Sequence, residues 1–315
     1  MAKAKKIVVS VLGPAPLRGV NLHGQEAVDH MIQHWRNQLA PVLPDKPDLI
    51  VLPEACDRFP SHAMEERQAY YACRGEQLRD FFRRVASERQ CHIAYSAARR
   101  MADGTYRNST QLIDRQGEIV GVYNKNHLVP AETTQGGILC GKEAPVFATD
   151  FGTVAMAICF DLNFTELLEK YKAQHPDLVI FSSMYHGGLM QRYWAYQCRA
   201  HFIGAVAGDE CTVINPVGET IARSTNYFPR VTASINLDCA VVHLDENWGR
   251  LQAAKDKYGR LVTVFDPGHL GAVLLTSEMP DISAADLIQE FGIETWDDYY
   301  DRSMAHRHSP GNMEP

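Results

Sequence analysis

No run of about 18 apolar residues occurs in this 315-residue chain, which removes a membrane-spanning helix, and with it a membrane partner, from the expectations. The eight cysteines, at 56, 73, 91, 140, 159, 198, 211 and 239, never form a Cys-x-x-Cys pair, and a chain of this length builds its core without covalent staples. Reduced thiols in a cytoplasmic protein are therefore expected. Thirteen histidines occur without a His-Glu-x-x-His or similar ligand spacing, so neither a metal nor any other cofactor is expected. A clustered basic face is also missing: the formal net charge is −7, which argues against nucleic acid as a partner. The first residues, Met1 to Lys6, are basic, but Ile7–Leu12 is short for a signal segment and stops at Gly13-Pro14, so it reads as a first strand. No internal repeat or low-complexity linker divides the chain. One large domain is expected over residues 1–245, followed by an extension over 246–315.

What is present is an alternation of strand-like and helix-like segments. Strands are predicted at 6–12, 48–53 and 91–97, with helices at 24–40 and over a long amphipathic stretch at 64–89 whose stripe is Leu78, Phe81, Phe82 and Val85. Asp103-Gly104 and Gln116-Gly117 supply turns for a meander containing 109–114 and 118–123. The second half repeats the order, with strands at 153–159 and 178–182 and helices at 164–174 and 189–203. Strands near 205–207, 211–214, 219–223 and 232–243 follow. Two mixed sheets packed face to face with helices outside, a four-layer α-β-β-α sandwich of the α/β class, is the simplest solution. The extension carries seven acids between Asp281 and Asp301 among Phe291, Trp296, Tyr299 and Tyr300, the pattern of a solvated helical face with one apolar stripe.

Three predicted strands end in reactive side chains. Val154–Ile158 delivers Cys159, Asp48–Pro53 delivers Glu54, and Ile119–Tyr123 is followed by Asn124 and Lys125. A cysteine in an apolar segment more often serves as a small buried hydrophobe. In layered α/β proteins, however, functional groups gather at the carboxyl ends of strands, where loops open onto a crevice. A thiol, a carboxylate and an amine delivered in that way can share one site.

With these residues, the chain resembles the carbon-nitrogen hydrolase family, also called the nitrilase superfamily, whose members carry a Glu-Lys-Cys triad in this order. The matching motifs are Glu54 in Leu-Pro-Glu-Ala, Lys125 in Tyr-Asn-Lys-Asn-His-Leu and Cys159 in Ala-Ile-Cys-Phe-Asp-Leu. The resemblance runs from about Lys6 to about Asp245 and implies the same four-layer fold. It also aligns Glu132 with a second glutamate beside the triad, and it implies a C-terminal tail that reaches across the interface of a homodimer or higher homo-oligomer. In the family, nitrilases tend to show Cys-Trp-Glu at the nucleophile. Cys159-Phe160-Asp161 leans instead toward an amide or N-carbamoyl (ureido) substrate, with a nitrile as the alternative. Asn163 departs from the family's amidase pattern, which carries Arg at that position.

The chemistry expected of these groups is hydrolysis through a thioester on Cys159. Glu54 serves as general base, Lys125 and the backbone N–H of Phe160 stabilise the oxyanion, and Glu132 either positions Lys125 and substrate or simply forms a salt bridge. After the strand at 178–182, Tyr185 and His186 are candidates for substrate contact; the competing reading is a glycine turn with a packed tyrosine. His127, two residues after Lys125, is expected to support the loop rather than form a Cys-His pair. A non-catalytic binding protein on the same scaffold is the remaining alternative, disfavoured because all three reactive residues are present.

Overall fold

In the computed structural model, which describes residues 6–314, alternating apolar residues of Lys6–Leu12 form strand β1. Met1 to Lys5, most of the basic start, lie outside the described residues. Helix α1 (Gly24–Leu39) leads to β2 (Leu49–Val51), and helices α2 (Met64–Arg74) and α3 (Gln77–Arg89) lead to β3 (His92–Arg100). The strands β1, β2 and β3 run parallel. The meander then adds β4 (Tyr106–Ile113) and β5 (Ile119–Asn124) antiparallel to them. Their turn requires Gly117, which has φ +79° and where an added Cβ would lie 2.7 Å from the Arg83 carbonyl oxygen.

The second half repeats this plan. After the short helix α4 (Pro130–Thr134) and strand β6 (Phe147–Ala148) come β7 (Thr153–Ile158), α5 (Thr165–Lys172), β8 (Leu178–Ser183), α6 (Leu189–Cys198) and β9 (His201–Val206). The parallel β7, β8 and β9 are extended antiparallel by β10 (Thr212–Ile214) and β11 (Thr220–Arg223), and β12 (Arg230–Asn236) returns to the edge of the first sheet beside β1. The result is two six-stranded mixed sheets, ordered β12-β1-β2-β3-β4-β5 and β11-β10-β9-β8-β7-β6.

Burial explains the layers. Val28, Met31, Trp35 and Leu39 of α1 and Leu78, Phe81 and Phe82 of α3 pack with Ile50, Ile93 and Tyr95 of the first sheet. Tyr171 of α5 donates to the Met156 carbonyl at 2.6 Å, and Trp194 of α6 donates to that of Leu162 at 3.0 Å, fixing the helices on the second sheet. Between the sheets, Ser182 Oγ donates to the Leu52 carbonyl at 2.8 Å. The four-layer α-β-β-α sandwich is thus the observed architecture.

Three element boundaries differ from expectation. The helix expected over 64–89 is broken, because Gly75 adopts φ +47° and caps α2 through its N–H to the Tyr71 carbonyl. The helix expected over 189–203 stops at Cys198, where Arg199 takes φ +53° and the next residues enter β9, buried throughout. The strand expected over 232–243 is two strands. Asn236 Oδ1 accepts the Asp238 N–H at 2.9 Å, a turn that ends β12, and Cys239–His243 becomes β13 of another sheet.

The chain divides into two compact units, Met1–Ile235 and Asn236–Pro315, so the division falls ahead of the expected 245/246. The reason is that β13 pairs antiparallel with β15 (Ala272–Ser277), which also pairs with β14 (Val262–Phe265). Helix α7 (Trp248–Tyr258) precedes β14, and α8 (Ala284–Phe291) and α9 (Trp296–Arg307) follow β15. This unit is more than a helical tail: Val242, Leu251, Val262, Val273, Leu275 and Leu287 form a core of their own. Among the described residues, no helix is long and apolar enough to cross a membrane.

Candidate active site

At the end of β2, Glu54 is followed by Ala55 in the left-handed region at φ +46°, a conformation that costs a non-glycine residue about 1–3 kcal/mol. Buried contacts hold the segment there. The Trp35 indole donates to the Cys56 carbonyl at 3.0 Å, and Asp57 accepts from Arg74 at 2.6 Å and from the Tyr95 hydroxyl at 2.5 Å. Cys159 ends β7 with the same strain, at φ +51°, and opens a 3-10 turn over Cys159–Asn163. Asp161, fully buried, pins that turn by accepting from the Ile158 N–H at 3.1 Å and the Tyr123 hydroxyl at 2.6 Å. Lys125 leaves β5 with its N–H on the Asn108 carbonyl at 2.8 Å.

These strand ends converge on one cavity of about 310 Å³, lined by Glu54, Lys125, Glu132 and Cys159 among others. That is the size of a small-molecule site. Lys125 Nζ donates to Glu54 Oε1 at 2.9 Å and to Glu132 Oε2 at 2.7 Å, with its side chain 1% exposed. Glu132 sits on α4, where Pro130 opens the helix and Glu132 Oε2 also accepts the Val129 N–H at 3.0 Å. Asn108, absent from the sequence expectations, completes the cluster by donating Nδ2 to Glu54 Oε1 at 2.7 Å and to Glu132 Oε1 at 2.9 Å. Its only sequence signal is an amide in mid-strand, which many surface strands share.

Cys159 lies beside Glu54 on this cavity, and the backbone N–H of Met184 donates to Glu54 Oε2 at 3.1 Å. Burial pushes this thiol up to about 12; the Glu54 charge adds to the rise and the Lys125 ammonium opposes it. For Lys125, burial alone acts downward, but Glu54, Cys159 and Glu132 outweigh it and hold the ammonium above the usual lysine range. At neutral pH the site therefore presents a protonated thiol beside a fixed positive charge.

The other expected residues are distributed differently. Phe160 stands second in the 3-10 turn, where N–H groups lack carbonyl partners within the helix, and its ring packs on Phe164 at 5.2 Å. Tyr185 and His186 are not among the residues lining this cavity, although Tyr185 lies close enough to Cys159 and Lys125 for their charges to act on it. Ser183 Oγ donates to the Tyr185 carbonyl at 2.6 Å and accepts the Tyr185 N–H at 3.0 Å, a turn that brings Met184 to the wall instead. The Tyr185 hydroxyl accepts from Asn163 at 2.9 Å, and His186 Nε2 lies 3.9 Å from Glu210. His127 is engaged by Asp161 at 3.0 Å and Glu166 at 2.9 Å and stacks on Phe164 at 3.8 Å, so it supports the loop and does not pair with Cys159. Among the described residues, no cluster of three or more His, Cys, Asp or Glu side chains has a metal-binding arrangement.

A four-layer sandwich with a carboxylate, an amine and a thiol on one cavity defines a class of hydrolytic enzyme, and the chain belongs to the carbon-nitrogen hydrolase family, whose model matches residues 15–239. Among relatives, it is 27% identical over 211 residues to a "Hydrolase in agr operon" of Staphylococcus lugdunensis, covering 61% of this chain and 88% of that protein. It is 25% identical over 158 residues to the human omega-amidase NIT2, covering 42% of this chain and 57% of that protein. In fold, it is similar to an amidase from Nesterenkonia sp., with TM-score 0.63 and 16% identity over 73% of this chain and 90% of the other.

Proposed function

We propose that this protein hydrolyses the amide or N-carbamoyl group of a small molecule through a thioester on Cys159. The observation that carries the reading is the convergence of the Cys159 thiol, the Glu54 carboxyl group and Lys125 on one cavity, with Lys125 Nζ 2.9 Å from Glu54 Oε1. The amidase names of relatives favour an amide over a nitrile. As Sγ attacks the carbonyl carbon, Glu54 takes the thiol proton. The charge developing on oxygen is met by the Lys125 ammonium and the Phe160 N–H, each such donor contributing about 3–4 kcal/mol in a dry site. Glu54 then donates its proton to the departing nitrogen; the carbon-nitrogen bond breaks and ammonia or an amine leaves. Water attacks the thioester as Glu54 accepts its proton. The carbon-sulfur bond breaks, acid is released, and Glu54 returns the proton to sulfur. Glu132 and Asn108 act by holding Lys125 and Glu54 in place.

We extend the same reading to a cytoplasmic homo-oligomer in which the C-terminal unit, residues 236–315, contacts a second copy. What supports this is its exposed apolar side chains, Trp248 at 63% and Tyr300 at 51%. The test of function is ammonia release from matched amides, ureido acids and nitriles, with intact-mass analysis for an acyl adduct. Cys159→Ala is expected to abolish turnover and adduct while the fold persists; turnover by the purified variant would refute the nucleophile.

A further inference from the structure

Strand β14 is an edge of the C-terminal sheet, whose order is β13-β15-β14. The Glu278 N–H donates to the Leu261 carbonyl at 2.9 Å, and these residues stand opposite each other when the β14–β15 register is continued by one pair. Backbone groups alternate in direction along an antiparallel pair, so Thr263 and Phe265 also bond to β15, whereas Val262 and Val264 turn theirs outward. Lys255 Nζ meets the outward Val262 carbonyl at 2.8 Å; the Val262 N–H and both groups of Val264 have no partner among the described residues. Edge strands are commonly protected by a proline, a bulge or a charged side chain in the strand, and Val262–Phe265 carries none of these. The residues about this edge are complementary to themselves. Around Thr263 as centre, Val262 is balanced by Val264, Leu261 by Phe265 and Arg260 by Asp266. Val262 points into the core, fully buried, so Leu261, Thr263 and Phe265 share the other face, where Leu261 is 43% and Phe265 40% exposed. Arg260 and Asp266 are exposed and have no ion-pair partner among the described residues.

We infer that β14 pairs antiparallel with β14 of a second copy of this chain, about a twofold axis through Thr263, and so joins two C-terminal sheets into one. In that register Val262 of each copy exchanges both backbone hydrogen bonds with Val264 of the other, Leu261 covers Phe265, and Arg260 meets Asp266 at both ends of the seam. The inference rests on the homo-oligomer reading for the second copy and names the surface that it uses. Arg260→Asp sets like charges against each other at both ends and is expected to weaken self-association about 10-fold in sedimentation equilibrium. Arg260→Asp/Asp266→Arg, which exchanges the signs, is expected to restore it. Thr263→Cys is expected to give a disulfide-linked dimer on mild oxidation, with peptide mass spectrometry locating the link between the two copies of position 263; the wild type treated in the same way controls for the native thiols. Leu261→Cys and Phe265→Cys are expected to cross-link when the two variants are mixed and neither with itself. Unchanged affinity in Arg260→Asp, a loss that the exchange does not restore, or no link at position 263 overturns the pairing and leaves the homo-oligomer reading standing. A wild-type protein that sediments as a monomer at every concentration overturns both.

Discussion

Glu54→Gln keeps the shape of the side chain and removes one negative charge beside the Cys159 sulfur, with two expected effects of opposite sign. Burial, followed by the Glu54 charge, has pushed the thiol from an ordinary value of 9.0 up to about 12 against the pull of Lys125. Two unit charges about 4 Å apart in an effective dielectric of about 20 interact by roughly 4 kcal/mol, or about 3 pKa units. Solvent reaching the cavity trims this, so a fall of about 1–2 units is expected in the variant. At pH 8 the wild-type thiolate fraction is about one in ten thousand, and that of the variant is about 10–100-fold larger. Iodoacetamide alkylation of Cys159, followed by peptide mass spectrometry at fixed pH, is expected to accelerate by that factor. Turnover is expected to fall by about 100–10,000-fold, the contribution of a general base. The sign on stability follows from the same shift. A thiol that stays protonated in the folded state while the unfolded thiol ionises near 9.0 leaves stability intact below that pH and erodes it as pH climbs toward 12. Glu54→Gln narrows that window. Unchanged alkylation, or turnover that survives, would refute Glu54 as the base that takes the thiol proton.

Lys125→Met leaves two carboxylates facing each other in a buried site and is expected to cost about 3–5 kcal/mol in urea unfolding at pH 7. Because the folded ammonium is held above the ordinary 10.5, that contribution is complete at neutral pH and is lost only as pH rises past this value. A stability difference that vanishes between pH 6 and 9 would count against the charge as its source. Asn108→Ala is expected to lower kcat about 10–100-fold with little change in KM, since its amide holds both carboxylates rather than substrate. A raised KM with kcat intact would make Asn108 a binding group instead.

What could be read from the sequence was the delivery of reactive groups by strands. Buried parallel strands are continuous apolar runs, so an ionisable residue at the end of one stands out, as Glu54 and Cys159 do. The interruptions were harder to see. Gly75 breaks a helix whose apolar stripe continues across the break, and β9 reads as a helix extension because strands buried on both faces lack alternation. Asn108 left no trace for a related reason: it gains its meaning from neighbours distant in the chain, with 54 positions separating it from Glu54. Which residue of the loop after β8 lines the cavity was equally hidden, because one hydroxyl, that of Ser183, sets the turn that brings Met184 there. The strain at Ala55 and Cys159 belongs to the same category, since neither residue type announces a left-handed backbone. That strain has a consequence for the thiol. A cysteine placed on a helix or strand interior would bring its own N–H into the ladder, whereas this turn frees the Phe160 N–H while the Met184 N–H donates to the Glu54 carboxyl group beside the sulfur. On the proposed mechanism, the site keeps sulfur protonated at rest and supplies its donors to the charge that appears only during attack, which would reconcile a thiol raised to about 12 with a nucleophile.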